Sequence, residues 1–239
     1  MALQLAAVRF DAAAPRAQAL FWAGLLDREV DAAPGDGVAT ARARGTAVAL
    51  RFVAAPEPKK GRNRMHFDLT SRSHEDQDRL VARALELGGG HYDVGQRGDE
   101  GHVVLADPEG DEFCVIEPEN MFLAGCGQIG ALNCEGLRAS GLFWSKALGW
   151  PLVWDQDEET AIQSPEGGAK VTWSGPPLFD KPPSGRNRLR IELVATDGAD
   201  RDEEAARLVA LGARMISAEP DALGTLTLAD PDDNEFHLG

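Results

Sequence analysis

The sequence is short of cysteine, of basic runs and of long apolar segments. Its three cysteines, Cys114, Cys126 and Cys134, cannot build a disulfide framework, and any pairing leaves one over. A reducing, cytoplasmic setting is therefore expected. No apolar stretch approaches the ~20 residues that span a bilayer. Arg9 and Asp11 also interrupt the apolar opening where a signal peptide needs continuity. No membrane partner is expected. Basic residues number 24 against 39 acidic ones, a formal net charge of −15. That field repels polyanions, so no nucleic-acid partner is expected either. Glycine and proline are spread along the chain rather than pooled, which leaves no tract with the composition of disorder.

What the sequence has is itself, twice. Residues 61–69 read Gly-Arg-Asn-Arg-Met-His-Phe-Asp-Leu, and residues 185–193 read Gly-Arg-Asn-Arg-Leu-Arg-Ile-Glu-Leu, an offset of 124. Leu87-Gly88 returns as Leu211-Gly212 at the same offset. Leu105-Ala106-Asp107-Pro108 returns as Leu228-Ala229-Asp230-Pro231, Glu112-Phe113 as Glu235-Phe236, and Leu20-Phe21-Trp22 as Leu142-Phe143-Trp144. These markers, in one order, mean a tandem duplication. The copies are read as domains over 1–119 and 126–239. Between them Met121-Phe122-Leu123 is apolar for a free linker and is expected to lie against a domain.

Each copy divides again into two βαβββ halves. The first half has a strand from Leu5 to Phe10, a helix from Pro15 to Leu26, and strands over 28–32, 37–42 and 46–53. Proline suits the first helical turn because its missing N–H costs nothing there. The second half opens with a strand over 64–70. Ser73 to Asp76 then form a variant capping box, and the helix that follows carries Leu80, Val81, Ala84 and Leu85 at helical spacing. Strands near 91–95, 102–106 and 112–117 complete it. Along 64–70, Met65, Phe67 and Leu69 alternate with Arg64, His66 and Asp68. The apolar set should pack beneath the helices and the other set face a polar or mixed cleft.

Paired βαβββ units, a helix ending in Leu-Gly, and Leu-Ala-Asp-Pro-(Glu/Asp)-Gly-X-Glu-Phe resemble the vicinal oxygen chelate superfamily of glyoxalases, bleomycin-resistance proteins and extradiol dioxygenases. The Phe-Trp helix and the Arg-Asn-Arg-X-His-X-Asp-Leu strand resemble its glyoxalase-like domain branch. The resemblance implies an α+β fold of two tandem domains, each with two βαβββ units forming a curved mixed sheet around a cleft. It also implies an intrachain pseudo-dimer, with a homodimer left open. Copy two departs from the pattern, with Arg190 in place of the histidine and Asp232-Asp233 where copy one has Glu109-Gly110.

Enzymes of the superfamily hold a divalent metal with His and Glu from four strands, as a Lewis acid on substrate oxygens. Carried over, those positions fall near Ala7, Arg51 or Phe52, His66 and Cys114 in copy one. In copy two they fall near Ile129, Ser174 or Gly175, Arg190 and His237. Neither set suffices for a hard divalent ion, so no cofactor is expected. His66 and Cys114 remain as catalytic candidates, a base and a thiol, against the plainer reading of Cys114 as a small buried residue and His66 as a polar liner of the pocket. Candidates for ligand binding are Asp68, Glu112, Arg190, Glu192, Glu235, His237 and Trp173. Arg190 with Glu192 is a carboxylate-binding pair or a plain strand-face ion pair, and Trp173 a stacking wall or core. The leading expectation is a small-molecule binder that does without the metal. The alternatives are a metal-dependent lyase or dioxygenase with an atypical ligand set, or a non-catalytic protein-interaction module.

Overall fold

Of the four strands that open the units, the one over Met65–Thr70 buries alternate side chains, the geometry a period-two apolar pattern suits, and the other three carry runs buried on both faces. The computed structural model describes residues 2–32, 37–41, 48–55, 57–95, 100–181, 185–196 and 198–239. Unit one comprises β1 (Leu3–Ala12), α1 (Pro15–Leu26), β2 (Val30–Ala32), β3 (Val38–Ala41) and β4 (Ala49–Ala54). Unit two comprises β5 (Met65–Thr70), α2 (His74–Glu86), β6 (Gly90–His91), β7 (Val103–Ala106) and β8 (Glu112–Ile116). Unit three comprises β9 (Ile129–Cys134), α3 (Arg138–Leu148), β10 (Leu152–Gln156), β11 (Glu159–Gln163) and β12 (Lys170–Trp173). Unit four comprises β13 (Leu189–Ala195), α4 (Arg201–Leu211), β14 (Arg214–Ser217), β15 (Leu226–Ala229) and β16 (Glu235–Leu238). Positions 42, 46 and 47 of the expected strands lie outside the described residues. Ser73 caps α2 by accepting from the Asp76 N–H, while the Asp76 carboxylate reaches back to the Arg72 N–H rather than to Ser73.

The α+β class and the four units are as expected, but the pairing of the units is not. One sheet runs β14-β15-β16-β13-β1-β4-β3-β2 and the other β10-β11-β12-β9-β5-β8-β7-β6. Units one and four, from different copies, therefore share the first sheet, and units two and three share the second. The joints are antiparallel: β1 pairs with β13 and β5 with β9. The reason lies on the other face. Within each copy the helices and loops pack together, α1 with α2 and α3 with α4. The free edge of each first strand is then satisfied by the other copy.

Two duplicated motifs explain that packing. Trp22 on α1 donates its indole N–H to Asp107 at 3.0 Å, and Trp144 on α3 donates to Asp230 at 3.0 Å. The next acid caps the helix itself: Glu109 accepts from the Ala13 and Ala14 N–H groups, and Asp232 from the Leu137 N–H and Ser140 hydroxyl. The Phe-Trp helix and the Asp-Pro-acid turn recur together because they bond to each other. The Arg-Asn-Arg motif joins the copies. Arg188 grips Asp111 with two hydrogen bonds and reaches Glu109, and Arg64 donates to the Asp232 carbonyl. One continuous core lies between, with Trp22 against Phe113 at 5.0 Å and Trp144 against Phe236 at 4.9 Å between ring centroids.

Asp107 →Ala would strand the Trp22 indole N–H and the backbone N–H groups of Glu109 and Asp111, which it holds at 3.0 Å. Each buried orphan donor costs about 1–3 kcal/mol. Relief of the buried carboxylate offsets part of this, since burial pushes Asp107 above the usual carboxylate range. A net loss of about 3 kcal/mol is expected in urea unfolding, with Trp22→Phe losing about 1–2 kcal/mol because only one donor is removed.

Candidate functional site

The helix-free face of the first sheet carries Arg9 and Asp11 from β1, Arg51 from β4, Arg190 and Glu192 from β13, and Glu235 and His237 from β16. Arg190 is 1% exposed and is the hub of this face. It is hydrogen-bonded to both oxygens of Asp11 and to the Asn187 carbonyl, and its Nε donates to His237 Nε2 at 2.9 Å. Arg190 and Glu192 therefore do not pair with each other: Glu192 is bonded to Arg51. Arg9 pairs with Asp221 at 2.8 Å, and Lys181 with Glu235 at 2.6 Å. Burial acts to raise Asp11, but Arg190 and Arg186 outweigh it and hold the carboxyl low. Burial and the charges of Arg190 and Arg9 push His237 down to about 3. The ring is neutral, its Nε2 lone pair taken by the guanidinium, and it is a buried residue rather than a surface one.

The corresponding face of the second sheet is less filled. His66 and Asp68 lie two apart on β5, and Cys114 stands beside Asp68 because β5 and β8 run parallel with those residues in register. Their donor atoms all lie within 4.8 Å of one another. His66 Nε2 is 3.4 Å from Asp68. Burial alone would lower the imidazole, but the Asp68 hydrogen bond and charge, with Cys114, raise it to about 10. Burial raises the Cys114 thiol, against the pull of His66. The pair sits as imidazolium and thiol at neutral pH, so His66 is a donor and not a ready base. Stability drawn from this raised histidine is fully present below about pH 6.5, its free value, and is lost as pH climbs towards 10. His66→Gln should flatten the fall in unfolding free energy across that window, measured by urea titrations at pH 6, 8 and 9.5.

Next to the cluster is a cavity of about 140 Å³ whose wall includes His66, His102, Glu112, Cys114, Val94 and Val104. At its rim Arg62 stacks on Phe179, 4.2 Å from the ring centroid. Lys59 holds Glu112 Oε1 at 2.8 Å. The linker meets the expectation in part, since Leu123 is buried against this sheet and Phe122 partly so, while Met121 is exposed. It forms a short 3-10 turn over Met121–Leu123, and Leu123 packs with Cys114, Ile116, Val104 and Ala131.

The glyoxalase-like domain model matches residues 7–116 and again 130–239. The chain belongs to the glyoxalase-like domain family. Its fold resembles glyoxalase I from Zea mays, with a TM-score of 0.68 at 13% identity over 99% of this chain and 92% of that one. It also resembles a putative dioxygenase from Bacillus subtilis, with a TM-score of 0.65 at 12% identity over 99% and 84% of the two chains. At those identities the likeness is one of fold. No curated protein matches the sequence.

Among the described residues, neither sheet of this glyoxalase-like chain offers the four-strand donor set of the superfamily's metal. The positions read as copy one's set divide between the sheets, since Ala7 and Arg51 are in the first while His66 and Cys114 are in the second. In the first sheet a guanidinium already occupies the His237 and Asp11 donors. In the second, β5 and β8 supply His66, Asp68 and Cys114, but β9 and β12 present Ala131, Asn133, Lys170 and Thr172 (Ser174 and Gly175 lie beyond β12). Glu112 is engaged by Lys59. A hard octahedral ion is not accommodated by such a set.

Of the sequence candidates, the cavity brings together His66, Cys114 and Glu112, with Asp68 directly behind His66. Arg190, Glu192, Glu235 and His237 belong to the ion-paired face of the other sheet. Trp173 lines neither face: it is 1% exposed in the core, because Val171 and Trp173 are the inward set of β12. Sequence reasoning missed His102, Val94 and Val104 in the cavity and Arg9 and Asp11 in the first sheet. Extending the alternation of β1 one step would have found Asp11, and alternation within the strand expected over 102–106 puts His102 on the face of Val104.

Proposed function

We propose that this glyoxalase-like protein binds a small organic molecule in the cavity of the second sheet and does so without a resident divalent metal. The observation that carries this reading is the contrast between two faces that duplication made equivalent. One is knitted shut by Arg190, and the other keeps a 140 Å³ space walled by Val94 and Val104 on its apolar side and by His66, Glu112 and Cys114 on its polar side. Small-molecule sites have this mixture of apolar wall and few convergent polar groups. Any chemistry there would draw on His66 as a proton or hydrogen-bond donor held by Asp68.

The test is thermal. Single-ring and dicarbonyl compounds at about a hundredfold their Kd should raise Tm by roughly 5–10 °C. Val104→Trp, which fills the cavity, should abolish the shift. The closeness of the His66, Asp68 and Cys114 donors favours a second reading, a metal-dependent lyase or dioxygenase with an atypical three-donor set. Elemental analysis separates the two. A stoichiometric first-row divalent metal, lost in His66→Ala, would establish the second reading and end the first.

A further inference from the structure

The two copies carry the same Lys–Glu pair, and one difference between them identifies the ligand class. Glu112 of copy one corresponds to Glu235 of copy two, and each is met by a lysine from the loop ahead of the Gly-Arg-Asn-Arg motif, Lys59 in copy one and Lys181 in copy two. In copy two both carboxylate oxygens are satisfied: Oε1 by Lys181 at 2.6 Å and Oε2 by the Asn187 N–H at 3.1 Å. In copy one Lys59 binds Oε1 at 2.8 Å, while Oε2 accepts no hydrogen bond from any described residue. The Glu112 side chain is 7% exposed, so this is a buried acceptor without a donor. Buried polar groups in native proteins are almost always satisfied, and leaving a charged one unmet is costly. Glu112 lines the 140 Å³ cavity.

We infer that the ligand of this cavity is a neutral molecule the size of one ring, bearing a hydroxyl or N–H that donates to Glu112 Oε2. The inference rests on the proposed small-molecule role of the cavity and names its ligand class. Size follows from volume: an apolar cavity of about 150 Å³ takes one benzene. Neutrality follows from the mixed charges of the wall, since Glu112 opposes an anion at the donor position while Lys59 and Arg62 oppose a cation. The donor follows from the empty acceptor, since an O–H···carboxylate bond is charge-assisted and among the stronger hydrogen bonds. Val94 and Val104 take the apolar body of the ring, and Lys59 fixes the carboxylate from behind. Glu112 is thus a specificity-determining residue.

Phenol and anisole, which differ in the donor, are the probes, titrated calorimetrically into the full chain at pH 7. Phenol should bind at one site per chain, with anisole and benzoate weaker by roughly tenfold or more, the worth of one hydrogen bond to a charged group. Glu112→Gln should bring the phenol-to-anisole ratio close to one, a change that a merely structural role would not produce. Equal binding of phenol and anisole to the unaltered protein would overturn the donor assignment while leaving the cavity's role intact. An unchanged ratio in Glu112→Gln would overturn the part given to Glu112. Binding by none of the three, together with no thermal shift from any compound in the wider panel, would overturn both this inference and the reading it rests on.

Discussion

Arg188→Met is expected to destabilise the protein by about 3–5 kcal/mol, the cost of stranding one member of a buried ion pair. In a chain of this length that is roughly 6–20 °C in Tm. Arg188 crosses from copy two to hold Asp111 of copy one, with Nε at 2.9 Å from Oδ1 and Nη2 at 3.2 Å from Oδ2. Asp111 is 1% exposed. Burial and the neighbouring charge of Asp107 push it up to about 7 even with the guanidinium present. A carboxyl raised in the folded state makes the native protein hold more protons than the unfolded one, so its contribution worsens as pH rises from about 4 towards 7. Removing Arg188 raises it further. The deficit of the variant should therefore be largest at pH 7 and shrink as pH falls towards 4, as urea titrations at several pH values would show. Arg188→Lys should recover only part of the loss, because an ammonium cannot reproduce the two-pronged contact. A deficit independent of pH would mean that Asp111 is not the group left stranded.

The role of Arg188 also shows what was and was not legible in the sequence. The Gly-Arg-Asn-Arg repeat stood out as a marker of the duplication. The second arginine of each repeat works across the copies, a long-range contact that no local pattern encodes. Strand and helix positions were legible because alternation and helical spacing are local consequences of burial. The partner of each sheet edge was not, since the free edge of β1 offers the same backbone groups to β5 as to β13. The site was half legible. Alternation on β5 and β8 put His66, Asp68, Glu112 and Cys114 on one face, and their parallel register brought them together. The distinction between Glu112 and Glu235 was beyond sequence, because each copy has a lysine close ahead of the motif and Asn63 recurs as Asn187. It arises from where one backbone N–H points. Of the two readings of Trp173, stacking wall or core, the core holds, because its strand position turns it inward.

Arg190→Met carries the second large effect, about 3–5 kcal/mol on the same grounds. The substitution removes the partner of Asp11, the donor to His237 Nε2 and a bond to the Asn187 carbonyl, all within one buried face. Its pH dependence has a different origin. His237 is held down to about 3 by burial and by the charges of Arg190 and Arg9. The folded protein therefore binds fewer protons than the unfolded one between about pH 6.5 and 3, and this face loses stability as pH falls through that window. Without Arg190 the histidine can take up a proton and itself become a cationic neighbour of Asp11. The deficit of the variant should therefore be smaller at pH 5 than at pH 8, as calorimetric scans at both would show. The same variant separates the two sheets. If the first is closed by its own guanidinium and the ligand belongs to the second, Arg190→Met should lower Tm while leaving phenol affinity within about twofold, a free-energy difference near 0.4 kcal/mol. A parallel loss of phenol binding would place the ligand on the first sheet, and with it the functional reading of the second would fall.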